Sequence, residues 1–97
     1  LYAQVEKHRL KNPYYLLRLS DEALQNQQFD ESISLLRRAI RKKGDDHELH
    51  FALAKTQYLS GETKAAEDSL ERARDLAPDN MLAEYNRPLN ELMADYK

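Results

Sequence analysis

The sequence predicts an all-α fold, an array of antiparallel helix–turn–helix units with about six helices in all. Three observations carry this reading. The chain repeats itself at an interval of 34 residues, which lays Leu19 over Leu53, Leu36 over Leu70, Arg38 over Arg72, Ala39 over Ala73 and Asp45 over Asp79. Its apolar residues recur at helical spacing, as in Leu16, Leu19, Ala23 and Leu24 and again in Phe29, Ile33, Leu36, Ala39 and Ile40. Finally, its few glycines and prolines fall where such helices would have to end or begin.

The segment 1–12 carries Leu1, Val5 and His8 on one helical face, as a preceding or capping helix would. The first unit follows over 13–46, and Pro13 stands where the first turn of a helix tolerates a missing N–H. A polar turn around Gln27 separates its two helices and overlies Gly61 at the repeat interval. The second unit, 47–80, supplies Leu49, Leu53, Ala54, Tyr58 and Leu59, then Ala66, Leu70, Ala73 and Leu76. Between them lies Ser60-Gly61-Glu62, and Gly61 can take the left-handed conformation that ends a helix. Pro78 forbids continuation of the second hairpin. Over 81–97 a final capping helix is expected, with Asp79-Asn80 as its cap, Pro88 as a kink and Leu82, Tyr85, Leu89, Leu92, Met93 and Tyr96 as a broad apolar stripe.

Composition narrows the function classes. With 41% hydrophobic and 33% charged residues the 97-residue chain has the make-up of one small helical domain. It contains no cysteine, which excludes disulfides, thiolate metal sites and cysteine nucleophiles from this segment. A net charge of −2 offers no global positive field for nucleic acid, and no apolar run approaches the ~20 residues that span a bilayer. Neither nucleic acid nor membrane insertion is therefore expected. The chain begins at Leu1, as a piece of a longer protein would, and its compartment is not encoded here.

The second unit resembles a tetratricopeptide repeat across nearly its whole length, on Leu53-Ala54, Tyr58, Gly61, Ala66, Leu70, Ala73 and Pro78. The first unit resembles it through Phe29-Asp30-Glu31-Ser32-Ile33, Leu36 and Ala39, and departs from it at Leu16, Ser20, Ser32 and Gly44. The resemblance implies a right-handed superhelical solenoid in which small residues such as Ala54, Ala66 and Ala73 let paired helices cross closely. It also implies that the first helix of each hairpin lines a concave groove that holds a protein or peptide. By register the groove would comprise Tyr14, Leu17, Arg18, Asp21, Leu24 and Gln25, then Glu48, Phe51, Ala52, Lys55, Tyr58 and Leu59. The last helix would add Leu82, Tyr85, Asn86, Leu89 and Met93. Of these, Tyr14, Leu17, Asp21, Phe51, Lys55, Tyr58, Tyr85 and Leu89 are the expected partner contacts. Leu17, Phe51 and Tyr85 form one row at the repeat interval and Leu24, Tyr58 and Leu92 another, a surface suited to apolar anchors.

The bland alternative is that these rows simply pack helix against helix, and a further one is that the last helix folds back into the groove or pairs with a second copy. The family's clamp for acidic chaperone tails is not expected, because Leu17, Asp21, Ala52, Leu82 and Asn86 stand where cationic and amide residues would be required. The stretch Arg9-Leu10-Lys11-Asn12-Pro13-Tyr14-Tyr15 resembles the lead-in to repeats that close some bacterial multidomain proteins, including ones with a transglutaminase-like domain upstream. A docking or regulatory appendage is thus a third expectation.

Chemistry is weakly supported. His47 and His50, three apart beside Asp45 and Asp46, share a helix face as two metal ligands would, yet they read more simply as a solvated helix start, so no metal is expected. Arg37, Arg38, Arg41, Lys42 and Lys43 form a basic cluster that suits the negative end of a helix dipole. No catalytic constellation can be assembled at supporting spacing, and neither an enzymatic activity nor a cofactor is expected.

Overall fold

A computed structural model describes residues 11–94, apart from the side chain of Leu89. The expected helix before Lys11 and the contribution of Tyr96 lie outside the described residues. Within them the chain forms α1 (Pro13–Gln25), α2 (Phe29–Lys42), α3 (His47–Leu59), α4 (Thr63–Leu76), α5 (Asp79–Tyr85) and α6 (Leu89–Leu92). The first four make two antiparallel hairpins, α1 with α2 and α3 with α4, stacked through α2 and α3.

Local chemistry sets each boundary. Asn12 caps α1 by accepting from the Tyr14 N–H at 2.9 Å, and Pro13 occupies the first turn. Asp46 caps α3 in the same way, accepting from the Glu48 N–H at 2.8 Å. The two hairpin turns are alike down to their hydrogen bonds. Gln28 N–H donates to Ala23 O at 2.8 Å and Gln27 N–H to Leu24 O at 3.0 Å; Glu62 N–H donates to Gln57 O at 2.8 Å and Gly61 N–H to Tyr58 O at 3.1 Å. This six-to-one and five-to-two closure requires a left-handed residue at its centre. Gly61 supplies it at φ +92° and Gln27 at φ +60°, so the first turn holds a side chain where the second has none.

The final helix differs from the single one expected over 81–97. It breaks after Tyr85, because the ring of Pro88 would meet the carbonyl four residues back and the residue before a proline is driven out of helical conformation. The Glu84 carbonyl instead accepts from Arg87 N–H at 3.2 Å, and Pro88 opens the short α6. Neither Asp79 nor Asn80 caps α5. Pro78 holds that position in extended conformation, and Asp79 lies in the first turn, where its carboxylate faces the positive dipole end.

Helix α3 is the hub of the core. Leu16, Ala39 and Leu49 join α1, α2 and α3; Leu36, Ala52 and Leu53 join α2 to α3; Ala54, Ala66, Leu70, Leu92 and Met93 join α3, α4 and α6. Ala39, Ala54, Ala66 and Ala73 are wholly buried, which permits close helix crossing. Ser20 and Ser32 are equally buried at small-residue positions. Their hydroxyls are satisfied nearby: Ser20 Oγ donates to Leu17 O at 2.6 Å, and Ser32 Oγ lies 3.4 Å from Thr56 Oγ1. The buried amide of Gln57 accepts from Ser69 Oγ at 2.6 Å, tying α3 to α4.

Candidate protein-binding surface

The first helices of the two hairpins, α1 and α3, lie on one side of the stack and carry the residues expected to line the groove. On α1 the side chains of Tyr14, Arg18, Asp21 and Gln25 are exposed, while Leu17 and Leu24 are half-buried between them. Leu17 also packs against the clusters joining α1, α2 and α3, so its inner half belongs to the core. Tyr14 is the one exposed large hydrophobic side chain among the described residues, at 48%.

Tyr14 is held by its tip. Its hydroxyl donates to Asp46 Oδ2 at 2.5 Å, while the other carboxylate oxygen of Asp46 caps α3. Burial alone would raise the Asp46 pKa. The Tyr14 hydroxyl, the backbone N–H groups of Glu48 and Leu49, and the charge of His47 together outweigh it and hold the carboxyl below its usual value. The same bond, with a smaller contribution from burial, raises the Tyr14 phenol. One aspartate thus fixes both the start of α3 and the orientation of the exposed ring.

Further along, Asp21 of α1 and Lys55 of α3 are electrostatically coupled. Partial desolvation of the largely exposed Asp21 carboxyl pushes its pKa up, and the Lys55 charge partly opposes it. Lys55 Nζ also stands 5.2 Å from the centroid of the Phe51 ring, in cation–π range.

The far half of the groove is occupied by the chain itself. Tyr85 stacks on Phe51 with centroids 4.6 Å apart and planes inclined by 23°, and its hydroxyl lies 2.8 Å from His47 Nδ1. Only 2% of Tyr85 is exposed. Burial raises its phenol pKa, as do the charges of Glu48, Asp46 and Glu84. Leu92 and Met93 are buried against Ala54, Ala66 and Leu70, with Phe51, Tyr58 and Leu59 packed beside them. The two rows at the repeat interval are therefore real juxtapositions at their C-terminal ends, where they serve internal packing. Tyr85, Leu92, Met93 and the buried Ala52 present no free surface. Of Leu89 only the backbone is described.

Three contributors were missed in the sequence. Arg74 secures the break after α5, with Nε donating to Tyr85 O at 2.6 Å and Nη2 to Arg87 O at 3.2 Å. The repeat pattern gives no hint of it, because Ile40 occupies the equivalent place in the first unit. The Gln57–Ser69 pair lies on faces that periodicity alone assigns to apolar residues. The Tyr14–Asp46 bond joins the start of α1 to the cap of α3, 32 residues further on, and leaves no local signature.

His47 and His50 do not converge on an ion. His47 Nδ1 engages Tyr85, and His50 Nε2 lies 2.9 Å from Gly44 O, an acceptor, so this ring nitrogen donates. Asp46 is committed to Tyr14 and to the helix cap.

The family model of the tetratricopeptide repeat matches residues 17–80, about two thirds of the chain. The chain belongs to the tetratricopeptide repeat family. A comparison with curated proteins returns no match. Membership of the tetratricopeptide family makes this a protein–protein interaction module of a generally non-enzymatic kind. Among the described residues no helix is long and apolar enough to cross a membrane.

Proposed function

We propose that this tetratricopeptide domain is a scaffold that holds an extended or helical segment of a partner protein against the α1 side of its groove. The partner would place an apolar anchor on Tyr14, Leu17 and Leu24. The observation that carries this reading is Tyr14, whose ring is exposed yet held rigidly by Asp46, beside half-buried leucines at helical spacing. A pre-oriented aromatic gives contact area at little entropic cost on binding. Asp21 and Lys55, of opposite sign, would orient the segment along the groove, while the filled C-terminal half sets its limit.

A peptide array probed with the domain tests this. Substituting Tyr14→Ala together with Leu24→Gln, which leaves the core contacts of Leu17 in place, should abolish capture of the selected peptides with helicity retained. Undiminished capture would refute the α1 groove. Self-association through the terminal segment is the second reading, favoured by its apolar stripe. Two of its anchors, Leu92 and Met93, are buried within a single copy, so light scattering at rising concentration should reveal dimers under this reading and monomers under the first. Docking beside an enzymatic domain is compatible with either and calls for the full-length reading frame.

A further inference from the structure

Between α2 and α3 lies an open pocket of about 300 Å³. Ile40 and Leu53 supply apolar walls, and Arg37, Arg41 and His50 supply the polar ones. Arg37 and Arg41 are one helical turn apart, so their guanidinium groups share a face. Like charges so placed cost helix stability unless something neutralises them. Among the described residues no carboxylate lies within 4.0 Å of either. Arg18, Lys43 and Arg87 each meet a carboxylate within 4.0 Å and Arg74 binds two carbonyls, whereas neither Arg37 nor Arg41 forms an ion pair there.

The helix dipole accounts for only part of this cluster. Arg41 and Lys42 lie in the last turn of α2, where cations are favoured, but Arg37 lies a turn earlier. In the second unit the position of Arg37 holds Glu71 and that of Arg41 holds Asp75, so the charge is not a property of the repeat. His50, whose Nε2 donates to Gly44 O, lines the pocket beside the two arginines.

We propose that this pocket is a second binding site, for an acidic peptide segment whose carboxylates pair with Arg37 and Arg41 while one apolar side chain enters between Ile40 and Leu53. Guanidinium forks suit carboxylates, and about 300 Å³, at the small end of ligand sites, leaves room for an apolar side chain between them. The apolar walls favour a peptide over a nucleic acid, which would call for stacking rings or a continuous basic track that the net charge of −2 does not provide.

The test is fluorescence anisotropy of the whole chain with a labelled oligoglutamate peptide bearing one central leucine. Binding should weaken by about tenfold or more in the Arg37→Gln, Arg41→Gln double variant, two surface changes that leave the circular dichroism unaltered. Replacing the peptide's leucine by glutamine should weaken it by about tenfold. Arg72→Gln, on the exposed face of α4, should leave it unchanged. Affinity unaffected by the double variant, equal affinity for the leucine-free peptide, or tighter binding of an oligothymidylate of matched charge would each overturn the proposal.

Discussion

Exchanging the residues at the centres of the two hairpin turns should move stability in opposite directions. Gln27 and Gly61 occupy equivalent positions in identical hydrogen-bonded closures, at φ +60° and +92°. A side-chain-bearing residue in the left-handed region carries a strain of about 1–2 kcal/mol, from the approach of Cβ to the following carbonyl. Gln27→Gly removes that strain. It also frees the unfolded chain, which returns about 0.4–1 kcal/mol. The net expectation is a stabilisation of about 0.5–1 kcal/mol, or a rise in Tm of about 4 °C for a domain of this size. Gly61→Gln should cost more than this gain. A Cβ at Gly61 would meet no atom within 4 Å, so the penalty is purely conformational, and φ +92° lies beyond the narrow left-handed well open to ordinary residues. Urea unfolding of both variants followed by circular dichroism measures the pair. Unchanged or lowered stability in Gln27→Gly would refute the claim that strain, and not side-chain chemistry, distinguishes the two turns.

Other perturbations probe the site and its supports. Asp46 has a folded pKa below the ordinary 3.8, so its contribution is complete above that value and is lost as pH falls through the folded one. Acid unfolding followed by circular dichroism should therefore be shallower in Tyr14→Phe, which removes one cause of the depression. Asp21 is raised by partial desolvation, the opposite sign, so Asp21→Asn should raise Tm at neutral pH, and the gain should fade once the wild-type carboxyl is protonated in acid. Ser69→Ala leaves the Gln57 carbonyl oxygen buried without its donor and should cost about 1–3 kcal/mol in urea titrations. Leu92→Ala with Met93→Ala should accelerate amide exchange over 89–94 while α1 to α4 stay protected, because the terminal segment can open as a unit of its own.

The hairpins were legible because they rest on local rules. Helical periodicity, Pro13, Gly61 and Pro78 each act within a turn or two of the chain, and the apolar pattern repeats at a 34-residue interval. Pro88 was visible too, but whether it kinks or ends a helix depends on what receives the freed carbonyls. Arg74, reaching from α4, decides that, and it belongs to no repeat pattern. The groove was harder for the same reason. Register places Leu17, Phe51 and Tyr85 in one row, but it cannot distinguish a side chain that waits for a partner from one that packs on its neighbour. The stacking of Tyr85 on Phe51 and the burial of Leu92 and Met93 follow from the path taken after the break, which is a tertiary fact. The Tyr14–Asp46 bond likewise depends on how closely the hairpins stack.

The central claim is that a partner segment binds the α1 side of the groove. Its most direct measurement is an amide NMR titration with the tightest peptide selected from an array. The account predicts shifts concentrated at Tyr14, Leu17, Arg18, Asp21, Leu24, Gln25 and Lys55, with α4 and α6 silent. Shifts confined to α4 and α6, leaving Tyr14 and Leu17 unmoved, would contradict it.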